Sequence, residues 1–373
     1  MENGGRIATT DRLDVKSFCE IAQDFVRESD TNESVPVEVL DELKKSNLLN
    51  ILIPSEYGGL GEDSLFLSDV IEELSVVNPS LGIVLFQHSS VVARIIEWGT
   101  SEQKEYWLKS IVQNNWIAAS AWSEQNGGAN KQNISTKAVL DDKGNWIVNG
   151  TKSFTTGSGI ADLYLVLVQT SFDDLTGDYG NNGQTFFVLE ADESCLTSSK
   201  SEGLIGMRGS STGFVHINNM IVSDFSVLGD LGGASKIIKH IRKTGLSLGT
   251  VSVGIAQAAF NLARESVHAR GLSDNVRLLN TLCELDLRIE TMRSLVMRAA
   301  KGINKNQSAL SYYSKILASE EAEKVCRECQ QIIGGRAFIR GNESERLCRD
   351  ARAIALMGPV NDLARDILGN EIL

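Results

Sequence analysis

Apolar residues in the first third of the chain recur at helical spacing, so that one face of each segment can turn to a core. The run "PVEVLDELKKSNLLNILI" carries this pattern from Pro36, a residue suited to a first helical turn. The glycine-rich stretch "EYGGLGED", Glu56 to Asp63, breaks it. Helices are expected again over "SLFLSDVIEELSVV", "LGIVLFQHSSVVARIIEWG" and "SEQKEYWLKSIV", the last with Ser101 as N-cap. The period then changes to two. "STKAVLDDKGNWIVNGTKSFTTG" reads as two strands joined by the turn "DDKG", and "DLYLVLVQT", "QTFFVLEA" and "GFVHINNMIV" read as further strands. "SFDDLTGDYGNNG" reads as a polar hairpin loop. From Gly232 the helical period returns. "ASKIIKHIRKTGLSLGTVSVGIAQAAFNLARESVHA" is expected as one long helix, followed by two more amphipathic segments, the second stopping at Gly334-Gly335. The fold class is therefore α+β, with an N-terminal helical domain (1–115), a middle β domain (116–230) and a C-terminal helical bundle (231–373).

The composition narrows the function classes. The 373 residues suffice for two or three domains, and four prolines leave room for long helices. A net charge of −12 gives nucleic-acid binding no electrostatic footing. The apolar runs are read as too short to span a bilayer, so no membrane partner is expected. Cys326 and Cys329 form a C-x-x-C within a helical pattern and without a second ligand pair, so they are read as packed helix cysteines and no metal is expected. The expected compartment is cytoplasmic.

Five segments narrow the fold further. "SEQNGGANKQNISTKA" resembles T-E-P-x-A-G-S-D followed by T-x-A in the acyl-CoA dehydrogenase family. "VNGTKSFTTG", "IGMRGSSTGFVHINNMIV", "QIIGGRAF" and "ERLCRDAR" resemble further segments of that family, in its order and spacing. The resemblance implies a β-barrel middle domain, a four-helix C-terminal bundle and a flavin cofactor. It implies that Phe154 packs on the flavin, that Thr156 reaches its N5/O4 edge and that Ser123 bonds its pyrimidine side. Gln331, Gly334 and Gly335 resemble bundle residues that touch the dinucleotide of a neighbouring subunit, which implies a homodimer or homotetramer. Taken from the residues alone, the hydroxyls are ordinary strand hydroxyls and the glycines a helix stop, and Arg208 and Arg349-Asp350 read as braces across a domain joint.

The chain also departs from the family pattern. The dehydrogenase Glu that removes the α-proton of an acyl thioester lies eight residues beyond the Asp of R-D-A-K, which here is Gly358. Its alternative place, ten residues before Gly254, is Thr244. The Arg that follows that second place falls on Gly245. Of the R-x-x-F-G segment that helps hold FAD only Arg270 is near, and Ala129 replaces the Ser of A-G-S-D. The catalytic group is thus unassigned, with His88 and Glu124 as remaining candidates. FAD, FMN or a flavin supplied already reduced all stay open. "QNNW", "SEQN", "GTKSFTTG" and "GPV" resemble the family's monooxygenase branch, similar to dibenzothiophene monooxygenase. Three readings follow: an oxygen-using flavin monooxygenase fed by a flavin reductase, an acyl-thioester dehydrogenase with a relocated base, or a silent flavin-binding subunit. The second would take an acyl group on CoA or a carrier protein and pass electrons to an electron-transfer protein.

Overall fold

The computed structural model describes residues 14–128, 131–132, 134–171, 183–200, 203–302 and 307–372. The expected polar hairpin loop after Ser171, and Ala129, lie outside the described residues. Three short helices open the fold: α1 (Val15–Asp24), α2 (Val26–Asn32) and α3 (Val37–Lys45). α3 does not run on through "NLLNILI" as its apolar spacing suggested. Asn47 takes a left-handed conformation (φ 60), and Leu48–Asn50 bury as a single 3-10 turn. Tertiary burial overrides helical period there.

α4 (Ser64–Val77) starts at Asp63, whose carboxylate accepts from Leu65 N and Phe66 N. α5 (Pro79–Trp98) has Pro79 at its first helical position, where the missing N–H costs nothing. α6 (Ser101–Asn114) is capped by Thr100 and not by Ser101. Thr100 Oγ1 accepts from Gln103 N at 3.2 Å, and Gln103 Oε1 accepts from Thr100 N at 2.9 Å. A reciprocal box needs a Glu or Gln three residues past the cap, and only Thr100 has one. One expectation about membranes is corrected here. α5, 20 residues long, is long and apolar enough to cross a bilayer by length and composition. It is instead packed into the protein, with 83% of its apolar window buried.

The middle segment forms an eight-stranded mixed sheet. Its strands are β1 (Ala118–Ala121), β2 (Lys137–Leu140), β3 (Trp146–Thr155), β4 (Leu163–Gln169), β5 (Gln184–Glu190), β6 (Leu196–Lys200), β7 (Gly213–Val222) and β8 (Val227–Leu228). The order is β6-β7-β3-β2-β4-β5-β8, with β1 added parallel to β4. No pairing among the described residues joins β6 to β8, so the barrel-like wrap has an open seam there. The "DDKG" turn joins β2 to β3 as expected, and Asp141 ties it by accepting from Lys143 N and Asn145 N. β1 carries no strand signal, since "AASA" is small and unbranched, yet it is nearly all buried against β4.

The third segment contains α7 (Ala234–His240), α8 (Gly249–Ala269), α9 (Val276–Ala300), α10 (Gln307–Ile333), α11 (Glu343–Leu356) and α12 (Asn361–Ile372). The single long helix expected from Ala234 is split. Gly245 sits at φ +81, and a Cβ there would lie 2.9 Å from Ala300 O, so the chain turns at the one residue that can pass. α8 to α11 pack as a bundle, and α4 lies across α8. One apolar core runs from α1 and α4 through the sheet into the bundle.

The three segments meet at residues 204–211. Asp350 of α11 is buried, accepts from Met207 N at 2.6 Å and pairs with Arg346 at 2.9 Å. Arg349 reaches Asp30 of α2 at 2.8 Å and donates to Ile205 O at 2.8 Å. Arg208 donates to Asp30 O at 2.7 Å and pairs with Glu33. Gly206 lets the loop approach α11, since a Cβ there would lie 2.2 Å from Arg349 O. Replacing Asp350 by Ala strands a buried guanidinium and a backbone N–H, and a loss of about 3–5 kcal/mol is expected. Chemical denaturation of Asp350→Ala beside the wild type checks this, and an unchanged midpoint would contradict the role given to the junction.

Candidate active site

A cavity of about 650 Å³ opens where α5, the end of β1, the end of β3, loop 204–212, α10 and the end of α11 converge. Its walls include Ser123, Phe154 and Thr156 from the middle segment and Thr244, Lys315, Gly358 and Pro359 from the third.

Local backbone aims the aromatic residue. β3 carries an irregularity between Lys152 and Thr155, and Phe154 within it has φ 52. A left-handed conformation is costly for an aromatic residue, and bulges commonly re-aim side chains beside functional sites. Here the bulge breaks strict alternation. Lys152 and Ser153 are both buried, while the Phe154 ring is 62% exposed along the cavity. Thr156 is buried, with its hydroxyl 3.2 Å from that of Thr212. Ser123 Oγ accepts from Lys131 Nζ at 2.8 Å, which brings a second cation to the wall. Burial lowers the Lys131 pKa, against the pull of Glu124.

Neither remaining catalytic candidate is free to act. His88 is fully buried, with Nε2 2.8 Å from Leu49 O and Nδ1 accepting from Ala118 N at 3.0 Å. Both ring nitrogens are spent joining α5 to the start of β1. Burial holds its pKa at about 4, so the ring is neutral near neutral pH. Glu124 accepts from Ser135 N and Oγ (both 2.6 Å) and Thr136 N (2.9 Å), and it pairs with Lys152 at 2.8 Å. Burial pushes its carboxyl up, but Lys152 and these donors outweigh it and bring it down to about 2. It stays ionised, saturated and outside the cavity lining. Burial draws Lys152 down to about 8 against the pull of Glu124, so the pair is charged at neutral pH.

Gly358 and Thr244, the two positions where the resemblance puts the family Glu, both line the cavity and carry no carboxylate. A Cβ on Gly358 would meet no heavy atom within 4 Å, so space is not what excludes a carboxylate. Gly358 is followed by Pro359 through a cis peptide bond. Thr244 Oγ1 donates to Ile241 O at 2.8 Å, a local turn bond. Among the described residues no Asp or Glu lines the cavity, whereas Arg94, Lys131, Lys315, Arg349 and Arg352 do.

Sequence reasoning passed over Arg94 and Lys315. Lys315 Nζ donates to Pro359 O (2.6 Å), Asn361 Oδ1 (2.7 Å) and Ala355 O (3.4 Å), which holds the turn that carries Gly358. Burial brings its pKa down to about 7, opposed by Glu320. Its signal was the polar stripe Ser311, Ser314, Lys315 and Ser319, at helical spacing on the buried face of α10. The other expected cofactor residues lie elsewhere. Arg270 donates to Ile332 O at 2.9 Å and closes the end of α10, beside the exposed Gln331, Gly334 and Gly335. None of these four lines the cavity.

The fold and this cavity define a helix–sheet–bundle protein with a cavity at the junction of its three segments. Profiles of the acyl-CoA dehydrogenase family match the chain throughout: the N-terminal domain over residues 12–115, the middle domain over 119–220 and the C-terminal domain over 232–373. The chain belongs to the acyl-CoA dehydrogenase family and is a flavoprotein of that family. It is 28% identical over 356 residues to an acyl-CoA dehydrogenase of Bacillus subtilis (strain 168), covering 91% of each chain. It is similar to the butyryl-CoA dehydrogenase structure from Megasphaera elsdenii, with 27% identity, a TM-score of 0.89 and all of both chains covered. FMN-bound TdsC from Paenibacillus sp. A11-2, a dibenzothiophene monooxygenase, shares the fold at 23% identity, with a TM-score of 0.85 and 96% of each chain covered.

The state of Glu124 sets a pH dependence. Its folded pKa of about 2 lies below the ordinary 4.5, so its contribution to stability is complete above 4.5 and is lost as pH falls towards about 2. Glu124→Gln should cost about 3 kcal/mol at pH 7, by leaving Lys152 buried without its counter-charge. The deficit should shrink between pH 4.5 and about 2, where the native carboxylate itself takes up a proton. Melting temperatures of both proteins across that range check the sign, and a deficit that grows on acidification would refute it.

Proposed function

We propose that the protein is an oxygen-using flavin monooxygenase that takes reduced flavin from a partner reductase and oxygenates a small organic substrate. The observation that carries this reading is a largely apolar cavity whose charged lining residues are all cations, with no carboxylate among the described residues. Dehydrogenation of an acyl thioester requires a base positioned at the α-carbon, worth about two to four orders of magnitude in rate. Neither Gly358 nor Thr244 supplies one, and Glu124 and His88 are bound elsewhere.

The residues present fit a flavin. Phe154 offers an exposed ring face, and Thr156 and Ser123 offer hydroxyls. When bound, reduced flavin supplies two electrons and two protons, so that one atom of O2 enters the substrate and the other leaves as water. The chain's part is to hold the ring between Phe154 and the hydroxyls, to keep Lys131 near its pyrimidine side, and to keep water out with the walls of α5 and α11. FMN is favoured over FAD, because the segment that would grip the adenylate is reduced to an Arg270 already engaged with Ile332 O. Val276, Leu287, Phe338 and Ile339 leave large apolar groups exposed on the bundle, which favours a homodimer or homotetramer formed through it. The proposed compartment is the cytoplasm.

Four measurements test the reading. Purified protein should bind FMN in fluorescence titration and, with NADH-reduced FMN from an added reductase, should consume oxygen in step with an oxygenated product. A panel of acyl-CoA and carrier-protein thioesters with an artificial electron acceptor should show negligible turnover, and Gly358→Glu should raise it measurably. Efficient turnover by the wild type would establish a dehydrogenase with a relocated base, flavin binding with no turnover in either assay would leave a silent flavin-binding subunit, and absence of binding of any flavin would remove all three readings. Light scattering at micromolar concentration should give a dimer or tetramer, and a flavin-loaded monomer would contradict the assembly.

A further inference from the structure

Arg94 is the cation in the cavity that the protein leaves least satisfied. It lies on α5, is only 6% exposed and lines the cavity. Its guanidinium carbon sits 5.3 Å from the centroid of the Trp122 ring, so the indole shields one of its faces. One terminal nitrogen donates to the Ser90 carbonyl, one turn back on the same helix. Arg94 Nε and Trp122 Nε1 are both buried and have no hydrogen-bond partner. Among the described residues no carboxylate pairs with Arg94. Glu97 is the acid that acts on it through space, and its carboxylate faces His240 at 3.9 Å. Burial lowers the Arg94 pKa to about 10, so the group is still charged at neutral pH.

A buried charge without a counter-ion and a buried donor without an acceptor each cost free energy, and native proteins keep such groups where a ligand completes them. The two orphan donors come from different elements, α5 and the residue that follows β1, and both side chains line one cavity, with the guanidinium carbon 5.3 Å from the indole centroid. Their common complement is an oxygen acceptor that carries negative charge. The indole against the guanidinium favours a flat organic acid over a phosphate, which would call for several converging donors. Resting on the reading of this cavity as the substrate site, we propose that the substrate carries a carboxylate that is held by Arg94 and Trp122 Nε1–H. Arg94 then fixes which end of the substrate enters first and so selects the carbon or heteroatom presented to the cofactor.

Calorimetric titration of the full chain, with and without bound FMN, compares benzoate, phenylacetate and octanoate with their primary amides. At least one acid should bind about 10- to 100-fold more tightly than its amide, the range of a charge-assisted hydrogen-bonded contact. Arg94→Gln should abolish that preference and Arg94→Lys should keep part of it, with melting temperatures showing that both variants are folded. FMN affinity should stay within about two-fold of the wild type in both variants, because the contact is to substrate. Equal binding of all three acid–amide pairs by the wild type, or a preference that survives in Arg94→Gln, overturns the proposal. A fall in FMN affinity that parallels the lost preference also overturns it, by making the flavin the acceptor. If FMN fails to bind the wild type, the monooxygenase reading fails on its own, and the titration without flavin still decides the carboxylate site.

Discussion

The buried carboxylate of Asp350 fixes the geometry on which everything else depends. It accepts from Met207 N in the loop of the middle segment and from Arg346 on its own helix. Beside it, Arg349 spans to Asp30 of α2 and to Ile205 O. One cluster thus ties α2, loop 204–211 and α11 to a single point. A buried pair of this kind contributes little net stability against an apolar replacement, but it is costly to break, so it acts chiefly as a register lock. Burial raises the pKa of Asp350, while Arg346 and the Met207 amide oppose it. The cavity wall at Gly206 and Met207 is the other face of that lock.

With the three segments locked, the cavity acquires its electrostatic character by subtraction. Acids near the flavin motifs are consumed before they reach it: Glu124 by Lys152 and the Ser135 and Thr136 amides, Asp162 by Lys44 and the Ile117 amide. His88 is spent as a backbone bridge. The cations divide into two kinds. Arg349 and Arg352 are paired with surface acids, and Lys315 is saturated by two carbonyls and an amide oxygen. Lys131 and Arg94 line the cavity with no carboxylate paired to them among the described residues. A protein of this fold that removed α-protons would need the reverse arrangement, a free carboxylate in a site where cations are quenched.

Residue patterns alone determined the order of helical and strand segments, the strands β2 to β5 and β7, and the long bundle helices. These are legible because period, turn residues and motif spacing are properties of neighbours in the chain. Local competition already blurs the edges. Thr100 takes the cap from Ser101 because of Gln103 three residues on, and α3 stops at Asn47 although its apolar spacing continues. Only tertiary structure decided the rest. β1 exists because β4 supplies its hydrogen bonds, not because "AASA" favours a strand. α5 is apolar enough for a bilayer but buries in a protein core, because the sheet and α6 cover it. Lys152 and Phe154, two residues apart, face opposite environments because a bulge intervenes. Arg94 and Trp122 are 28 positions apart in the sequence, and no pattern along the chain says that they stack together with unpaired donors and line one cavity. Whether a charged side chain is quenched or left waiting depends on which distant groups the fold brings to it, and that is fixed by packing in three dimensions.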